Sequence, residues 1–413
     1  VISDGKGGGR VKIEFPEYVL RILGAYENAG YEAYAVGGCV RDSLLGRTPH
    51  DWDIASSARP EETMRIMTPP DFSVKALSGL KHGTVTVVVK NGGESAASCE
   101  VTAFRRDGKY TDMRRPDEVT FTGSLGDDLA RRDFTINAMA ARPGEICDPY
   151  RGEYDLCDKL IRAVGAPDER FSEDALRILR ALRFSAVLGF TIERETAGAM
   201  HQCAGLMKNV SVERISSELY AILTSDFPEK VIPEFSDVIA AALPEPLTCP
   251  DLSAMLLSSC PDVRFALIFG ASSADAARLL KMPTKFASKV SHIAATESIP
   301  ESRAEKCRLI RECRSFYGEC LEYAGIITGE RQRAQRVSRE LAEIEASGEC
   351  VSLSDLAVGG RDLTALGMEG RAVGKTLSFL LDSVCSGILP NTREVLLAAA
   401  LNYISNGVSD VFK

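Results

Sequence analysis

The chain has one tryptophan, four histidines, and no apolar run approaching the roughly 18 residues that a membrane-spanning helix needs. Its twelve cysteines include no Cys-x-x-Cys pair, and the histidines stand too far apart to complete a zinc ligand set. Scattered thiols kept reduced in a cytoplasmic setting are the expectation. The opening VISDGKGGGR has no secretory apolar core and no GxxxxGK[ST] spacing, so residues 1–10 read as a flexible leader. No repeat of about 20–50 residues suggests a solenoid. Basic residues number 49 against 58 acidic, a net charge of −9 that excludes a uniformly basic coat for nucleic acid. Contact with RNA would need a local basic patch.

What is present fits a folded protein of about three domains: 413 residues, 45% hydrophobic and 26% charged. Alternation over Tyr31–Val36 predicts a strand that breaks at Gly37 and Gly38 and runs into a short helix, CVRDSLLG. A strand DWDI, a helix over Pro60–Met67, a strand near Val74 and a hairpin from HGTVTVVVK into CEVTAFR follow. The charged stretch FRRDGKYTDMRRPDEVTFT, with Arg105, Arg106, Arg114 and Arg115, reads as a mobile loop. From Glu173 the period becomes helical: EDALRILRALRFSAVLG, ERETAGAMHQCAGLM and SVERISSELYAIL. The fold class is therefore α+β. An α/β head at 11–148 precedes helical segments at 149–225, 226–347 and 348–413, with a proline-bearing joint near 233–251.

In HDWDIA, Asp51 and Asp53 are two apart on the expected strand and turn both carboxylates to one side, with Trp52 and Ile54 inward. Such a pair suits Mg²⁺, a hard cation that keeps water and substrate phosphates as further ligands. Alone, Asp-x-Asp is common by chance, and His50-Asp51 also spells the HD of metal phosphohydrolases, although no other histidine has suitable neighbours. GGCVRD strengthens the nucleotide reading: backbone amides at Gly37 and Gly38, with Arg41 beside them, suit a triphosphate. Glu100 alternates away from Val101 and Ala103. It reads either as a third carboxylate that polarises an attacking hydroxyl or as a solvent-facing strand residue.

Taken in order, GGxVRDxLLGxxxxDxD, RRDFTINAMA and EDALRILRALRF resemble the class II tRNA nucleotidyltransferase and bacterial poly(A) polymerase family. The resemblance runs from about Tyr34 to Leu219, with a weaker one at VGGRDLTALGMEGRAVGKTL. It implies a polymerase-beta-type head followed by a helical neck, body and tRNA-binding tail. It also implies that Asp51 and Asp53 hold catalytic magnesium ions, and that Gly38 and Arg41 contact the triphosphate. Arg132 or Arg131 would contact the nucleotide, with Asp133 and Asn137 shaping the sugar site. Asp174 and Arg177 would read the base, and Arg180 and Arg183 would face the phosphates or the bound nucleotide.

On a helix, Asp174 and Arg177 are three apart and share one face, an acceptor beside a donor. Cytosine and adenine match that pair with an amine beside a ring nitrogen, whereas uracil and guanine do not. The competing reading is a salt bridge within the helix, Glu173 or Asp174 to Arg177. Within the family, the charged loop favours terminal A addition. LSGLKHGTVTVV in place of an RRFRLAHV-like segment favours CCA addition to tRNA from CTP and ATP over poly(A) synthesis. An A-adding enzyme or a catalytically silent RNA-binding protein are the alternatives, and a homodimer is left open. Arg303, Lys306, Arg308, Arg311 and Arg314 form either a phosphate track for tRNA or a solvated face, since Glu305, Glu312 and Glu319 are interleaved.

Overall fold

The computed structural model describes residues 13–75, 80, 83–91, 94–108, 119–244, 247 and 251–407. The leader at 1–10 and the loop arginines Arg114 and Arg115 lie outside them. The chain forms two compact units, Val1–Pro250 and Asp251–Lys413.

The first unit opens with α1 (Glu17–Asn28), which buries Val19, Ile22, Leu23 and Tyr26 at helical spacing. Then come β1 (Ala33–Val36), α2 (Gly38–Leu44), β2 (Asp53–Ser56), α3 (Pro60–Ile66), β3 (Phe72–Lys75), β4 (Thr84–Asn91) and β5 (Glu94–Ala103). β6 (Arg105–Asp107), β7 (Val119–Phe121), α4 (Leu125–Ala130), β8 (Ala140–Arg142) and β9 (Glu145–Cys147) complete the α/β part. Seven strands form one sheet in the order β3-β4-β5-β2-β1-β8-β9. β2 runs parallel to β5 and antiparallel to β1.

Three local expectations are corrected. β2 begins at Asp53, and Asp51 belongs to its lead-in, because the β1 partner row stops at Val36, where Gly37 turns the chain away at φ 77°. The charged stretch is not loop at its ends, since β6 and β7 pair as a two-stranded sheet. Its charges are met locally, Arg105 by Asp107 and Arg106 by Asp127, so polarity there does not signal an unpaired backbone. The third correction concerns EDALRILRALRF, which is not one helix.

Beyond the sheet follow α5 (Gly152–Cys157), β10 (Leu160–Ile161), α6 (Pro167–Glu173), α7 (Leu176–Leu188), β11 (Thr191–Ile192), α8 (Arg194–Cys203), α9 (Val212–Leu223) and α10 (Ile232–Ala242). The helix breaks between α6 and α7. Asp174 takes extended angles (φ −144°, ψ 101°), and its carboxylate accepts from the Leu176 N–H at 3.1 Å, closing a turn on the backbone two residues on.

The second unit is helical: α11 (Pro261–Phe269), α12 (Ser273–Leu279), α13 (Thr284–Ala295), α14 (Arg303–Cys313), α15 (Tyr317–Ile327), α16 (Arg331–Ala346), α17 (Gly360–Ala365), α18 (Arg371–Cys385) and α19 (Arg393–Gly407). Leu321, Leu341, Leu363, Leu380 and Leu396 meet in its core. Most of the basic series on and after α14 is paired: Arg303 with Glu349, Lys306 with Glu340, Arg311 with Asp382 and Arg314 with Glu345. That favours the solvated-face reading of those residues. Among the described residues every cysteine is free, and no helix is long and apolar enough to cross a membrane.

Candidate active site

Strand register assembles the site. Val36 at the end of β1 stands opposite Asp53, Asp53 stands opposite Glu100 on β5, and Val36 also pairs with Ala140 on β8. Residues paired across strands point to the same face, and adjacent strands lie about 4.8 Å apart. Asp53 and Glu100 therefore emerge side by side, on the face where Val36, Ala55 and Ala140 pack under Leu129 of α4. The Cys99 thiol donates to the Trp52 carbonyl at 2.7 Å and ties the segment between the aspartates to β5. Loss of solvent raises the Asp53 pKa, and Glu100 and Asp51 raise it further, against the lowering charge of Arg132. The other two carboxylates expected from the sequence, Glu100 and Asp51, thus both act on Asp53 at this end of the sheet.

Gly37 sits at the turn, its N–H on the Met139 carbonyl at 3.2 Å. Its φ of 77° favours glycine, and a Cβ there would lie 2.9 Å from Arg132 Nη1. Gly38 opens α2, on which Arg41 grips Asp42 through Nε and Nη2 and donates to Asn137 Oδ1 at 2.8 Å.

Arg131 and Arg132 hang on one wholly buried acid, Asp128. Its Oδ1 accepts Nε and Nη2 of Arg131 at 3.0 and 2.7 Å, and its Oδ2 accepts Arg132 Nη2 at 3.1 Å. Among the described residues the buried Nε of Arg132 has no hydrogen-bond partner. Asp133 is saturated: Oδ1 takes the Phe134 N–H and Asn137 Nδ2, and Oδ2 takes Nε and Nη2 of Arg180. Its geometry serves to hold Asn137 and Arg180.

Phe184 on α7 gathers the positive charge. The guanidiniums of Arg41, Arg180 and Arg183 lie 5.1, 5.3 and 4.2 Å from its ring centroid, and Phe134 meets the ring edge-on at 5.8 Å. The negative face of an aromatic ring tolerates such crowding, and Asp42, Asp133 and Glu218 supply the counter-charges.

The expected Asp174–Arg177 neighbours on a single helix are not formed that way, because the chain breaks between them. Arg177 donates to Glu173 Oε2 at 2.5 Å and to the carbonyls of Arg170 and Arg131, both at 3.1 Å. Asp174 is held by Arg214 of α9. Of the readings open from sequence, the Glu173–Arg177 salt bridge is therefore present.

Residues 33–162 match the family described as Poly A polymerase head domain, residues 189–237 the family described as "Probable RNA and SrmB- binding site of polymerase A", and residues 264–400 the family described as "tRNA nucleotidyltransferase domain 2 putative". A CCA-adding enzyme of Lacticaseibacillus paracasei is 36% identical over 402 residues, covering 95% of this chain and 98% of the relative. The chain belongs to the CCA-adding enzyme family. As a member it is an enzyme, a tRNA nucleotidyltransferase. The CCA-adding enzyme of Streptococcus gordonii is 37% identical over 408 residues, covering 93% of this chain and 96% of that one. Among solved structures, the Bacillus stearothermophilus CCA-adding enzyme in complex with CTP superposes with a TM-score of 0.77 at 31% identity, over 94% of this chain and 97% of that one. The Thermotoga maritima CCA-adding enzyme complexed with tRNA has a TM-score of 0.67 at 21% identity, over 95% and 97% of the two chains, and shares the fold.

For a CCA-adding enzyme the donor set matters. Among the described residues no three His, Cys, Asp or Glu side chains form a ready-made metal cage. Two all-oxygen donors, Asp51 and Asp53, nevertheless fit a small hard cation that takes its remaining ligands from water and phosphate. Sequence reasoning missed Asp128, Phe184, Arg214 and Glu218. Asp128 did carry a signal, lying three and four residues before Arg131 and Arg132, whereas Arg214 and Glu218 act across helices and no local spacing marks their partners.

Proposed function

We propose that this chain adds CCA to the 3′ end of tRNA, using CTP and ATP without a template strand and releasing pyrophosphate. The observation that carries the reading is the register that sets Asp53 beside Glu100, with Gly37 and Arg132 at the same end of the sheet. The tRNA 3′-hydroxyl attacks the α-phosphate in line, the new P–O bond forms, and the bond to the β-phosphate breaks. Glu100 takes the hydroxyl proton. Gly38, Arg41 and the unpartnered Nε of Arg132 receive the triphosphate, with Arg131 backing Arg132 through Asp128, while Gly37, whose N–H is already on the Met139 carbonyl, makes the turn that brings them together and donates no amide of its own. Asp51 and Asp53 would hold a divalent cation, magnesium in this reading, which supplies charge for the phosphate oxygens. Arg180 and Arg183, poised on Phe184, extend the positive surface, and Asp133 and Asn137 hold Arg180 and Arg41 in place. Asp174 and Arg177 read the Watson–Crick edge from the two sides of the α6–α7 break.

In this reading 11–148 is the catalytic head, 149–225 a neck, 226–347 a body and 348–413 a tRNA-binding tail, in a cytoplasmic enzyme. The test offers purified protein and Mg²⁺ three tRNA transcripts, ending before CCA, after C and after CC, with single labelled nucleotides and mixtures. CCA completed on the bare transcript, with UTP and GTP ignored, is expected. Extension of the CC-ended transcript alone identifies an A-adding specialist, an unbounded A ladder a poly(A) polymerase, and no extension a silent RNA binder.

A further inference from the structure

Asp155 lies on α5, between the second and third of the motifs that carry the family resemblance, and only 6% of it is exposed. Its Oδ2 accepts the Thr135 hydroxyl at 2.6 Å, and its two oxygens share Arg162 Nε at 3.2 and 3.1 Å. The Arg162 carbonyl in turn accepts the Thr135 N–H at 2.9 Å. Thr135 is thus held at its hydroxyl and at its amide by one closed ring of contacts. The start of α5 presses on the same spot. Asp148 accepts the Gly152 and Glu153 N–H groups, and a Cβ at Gly152 would run into the Thr135 carbonyl.

Thr135 opens a tight turn that ends at Asn137. Asn137 Oδ1 accepts Arg41 Nη1 at 2.8 Å, a bond between residues 96 apart in the chain. Asp42, which takes Nε and Nη2 of the same guanidinium, is the neighbour of Arg41 on α2 and moves with it. The Asn137 bond instead ties Arg41 to a separate segment. Asp133 fixes the Asn137 side chain through Nδ2, and Asp155 fixes the backbone that carries it. Contacts therefore run in series from Asp155 through Thr135 and Asn137 to Arg41.

We propose that Asp155 is a positioning residue for triphosphate binding, holding the Thr135 hydroxyl so that the turn aims Asn137 and, through it, Arg41. The inference rests on the reading of Arg41 as a triphosphate contact. A guanidinium set in advance meets the phosphate oxygens without first giving up rotamer freedom. With the Thr135 hydroxyl released, the turn loosens and Arg41 loses its aim, while Asp53 and Glu100 stay where the sheet register puts them. The loss falls on KM for CTP and spares kcat.

The experiment measures kcat and KM for CTP on a tRNA transcript ending before CCA, with thermal melting for each protein. The variants are Asp155→Leu, Asp155→Asn, Thr135→Val, Thr135→Ser, Arg41→Met and Asp155→Leu combined with Arg41→Met. Asp155→Leu and Thr135→Val are expected to raise KM for CTP about tenfold, with kcat within about threefold of wild type. Asp155→Asn keeps an acceptor and Thr135→Ser a donor, so both should stay within about threefold of the wild-type KM. In the double variant, Asp155→Leu should add less than about twofold to the effect of Arg41→Met, because both act on one contact. An unchanged KM in Asp155→Leu overturns the proposal, and so does an effect that multiplies in full with that of Arg41→Met. If Asp155→Leu does not fold, Thr135→Val, alone and with Arg41→Met, decides in the same way. If Arg41→Met raises KM and the Asp155 and Thr135 variants do not, only the positioning role falls. If Arg41→Met leaves KM for CTP intact, the triphosphate role of Arg41 falls, and this proposal falls with it.

Discussion

Arg180 places Nε and Nη2 on one oxygen of Asp133, at 2.9 and 2.6 Å, and so joins α7 to a segment 47 residues earlier in the chain. Burial works to raise the Asp133 pKa. The charge of Arg180, the Asn137 amide and the Phe134 N–H outweigh it and hold the group at about 2, below its ordinary 3.8. A carboxyl depressed on folding stabilises the fold fully above its unfolded pKa, and that contribution fades as pH falls through the folded value. Asp133→Asn is expected to cost about 2 kcal/mol at neutral pH, and the gap to wild type should close between about pH 4 and pH 2. Urea unfolding across that range checks both the size and the direction.

Asp128 is wholly buried and supports two arginines. Removing one partner of a buried ionic group leaves uncompensated charge, so Asp128→Ala should lose about 3–5 kcal/mol. The neighbouring Asp127 pairs with the exposed Arg106, and Asp127→Ala should lose less than about 1 kcal/mol. Paired denaturation curves give the contrast.

Gly37 holds a left-handed turn against Arg132. Gly37→Ala is expected to cost about 1–2 kcal/mol in backbone strain. By pushing Arg132 aside it should also lower kcat/KM for CTP about tenfold, a loss larger than the strain alone explains. Steady-state kinetics beside thermal melting separates the two effects.

Much of this site was legible because strand and turn chemistry are local. The Gly37 turn follows from a glycine pair after an apolar strand. The alternation on each strand placed Asp53 and Glu100 on faces of a sheet, but their neighbourhood depends on β5 lying beside β2 in register across two intervening strands, which no local pattern fixes. The Asp174 break was not legible, since Leu176, Ile178 and Leu179 continue a helical period across it while the Asp174 side chain captures the Leu176 N–H. The β6–β7 pair was hidden for a related reason: Arg105, Arg106 and Asp107 look like solvated charge until their partners are known. Arg214 and Glu218 find their partners only once α9 is packed on α7.

The basic series of the second unit bears on RNA binding. Arg303 and Arg314 already face Glu349 and Glu345. Arg303→Ala or Arg314→Ala should change tRNA affinity less than about threefold and leave its salt dependence intact. Loss of a true phosphate contact would reduce the slope of log K against log salt by about 1. Filter binding at several salt concentrations checks this.

The central claim is that Asp53, set beside Glu100 by the β2–β5 register, works in nucleotidyl transfer and not in holding tRNA. The direct measurement compares tRNA binding and CMP incorporation by wild type and Asp53→Ala in one Mg²⁺ buffer. Incorporation should fall by about a thousandfold or more while tRNA affinity stays within about threefold. Near-normal incorporation, or loss of tRNA binding in step with activity, would contradict it.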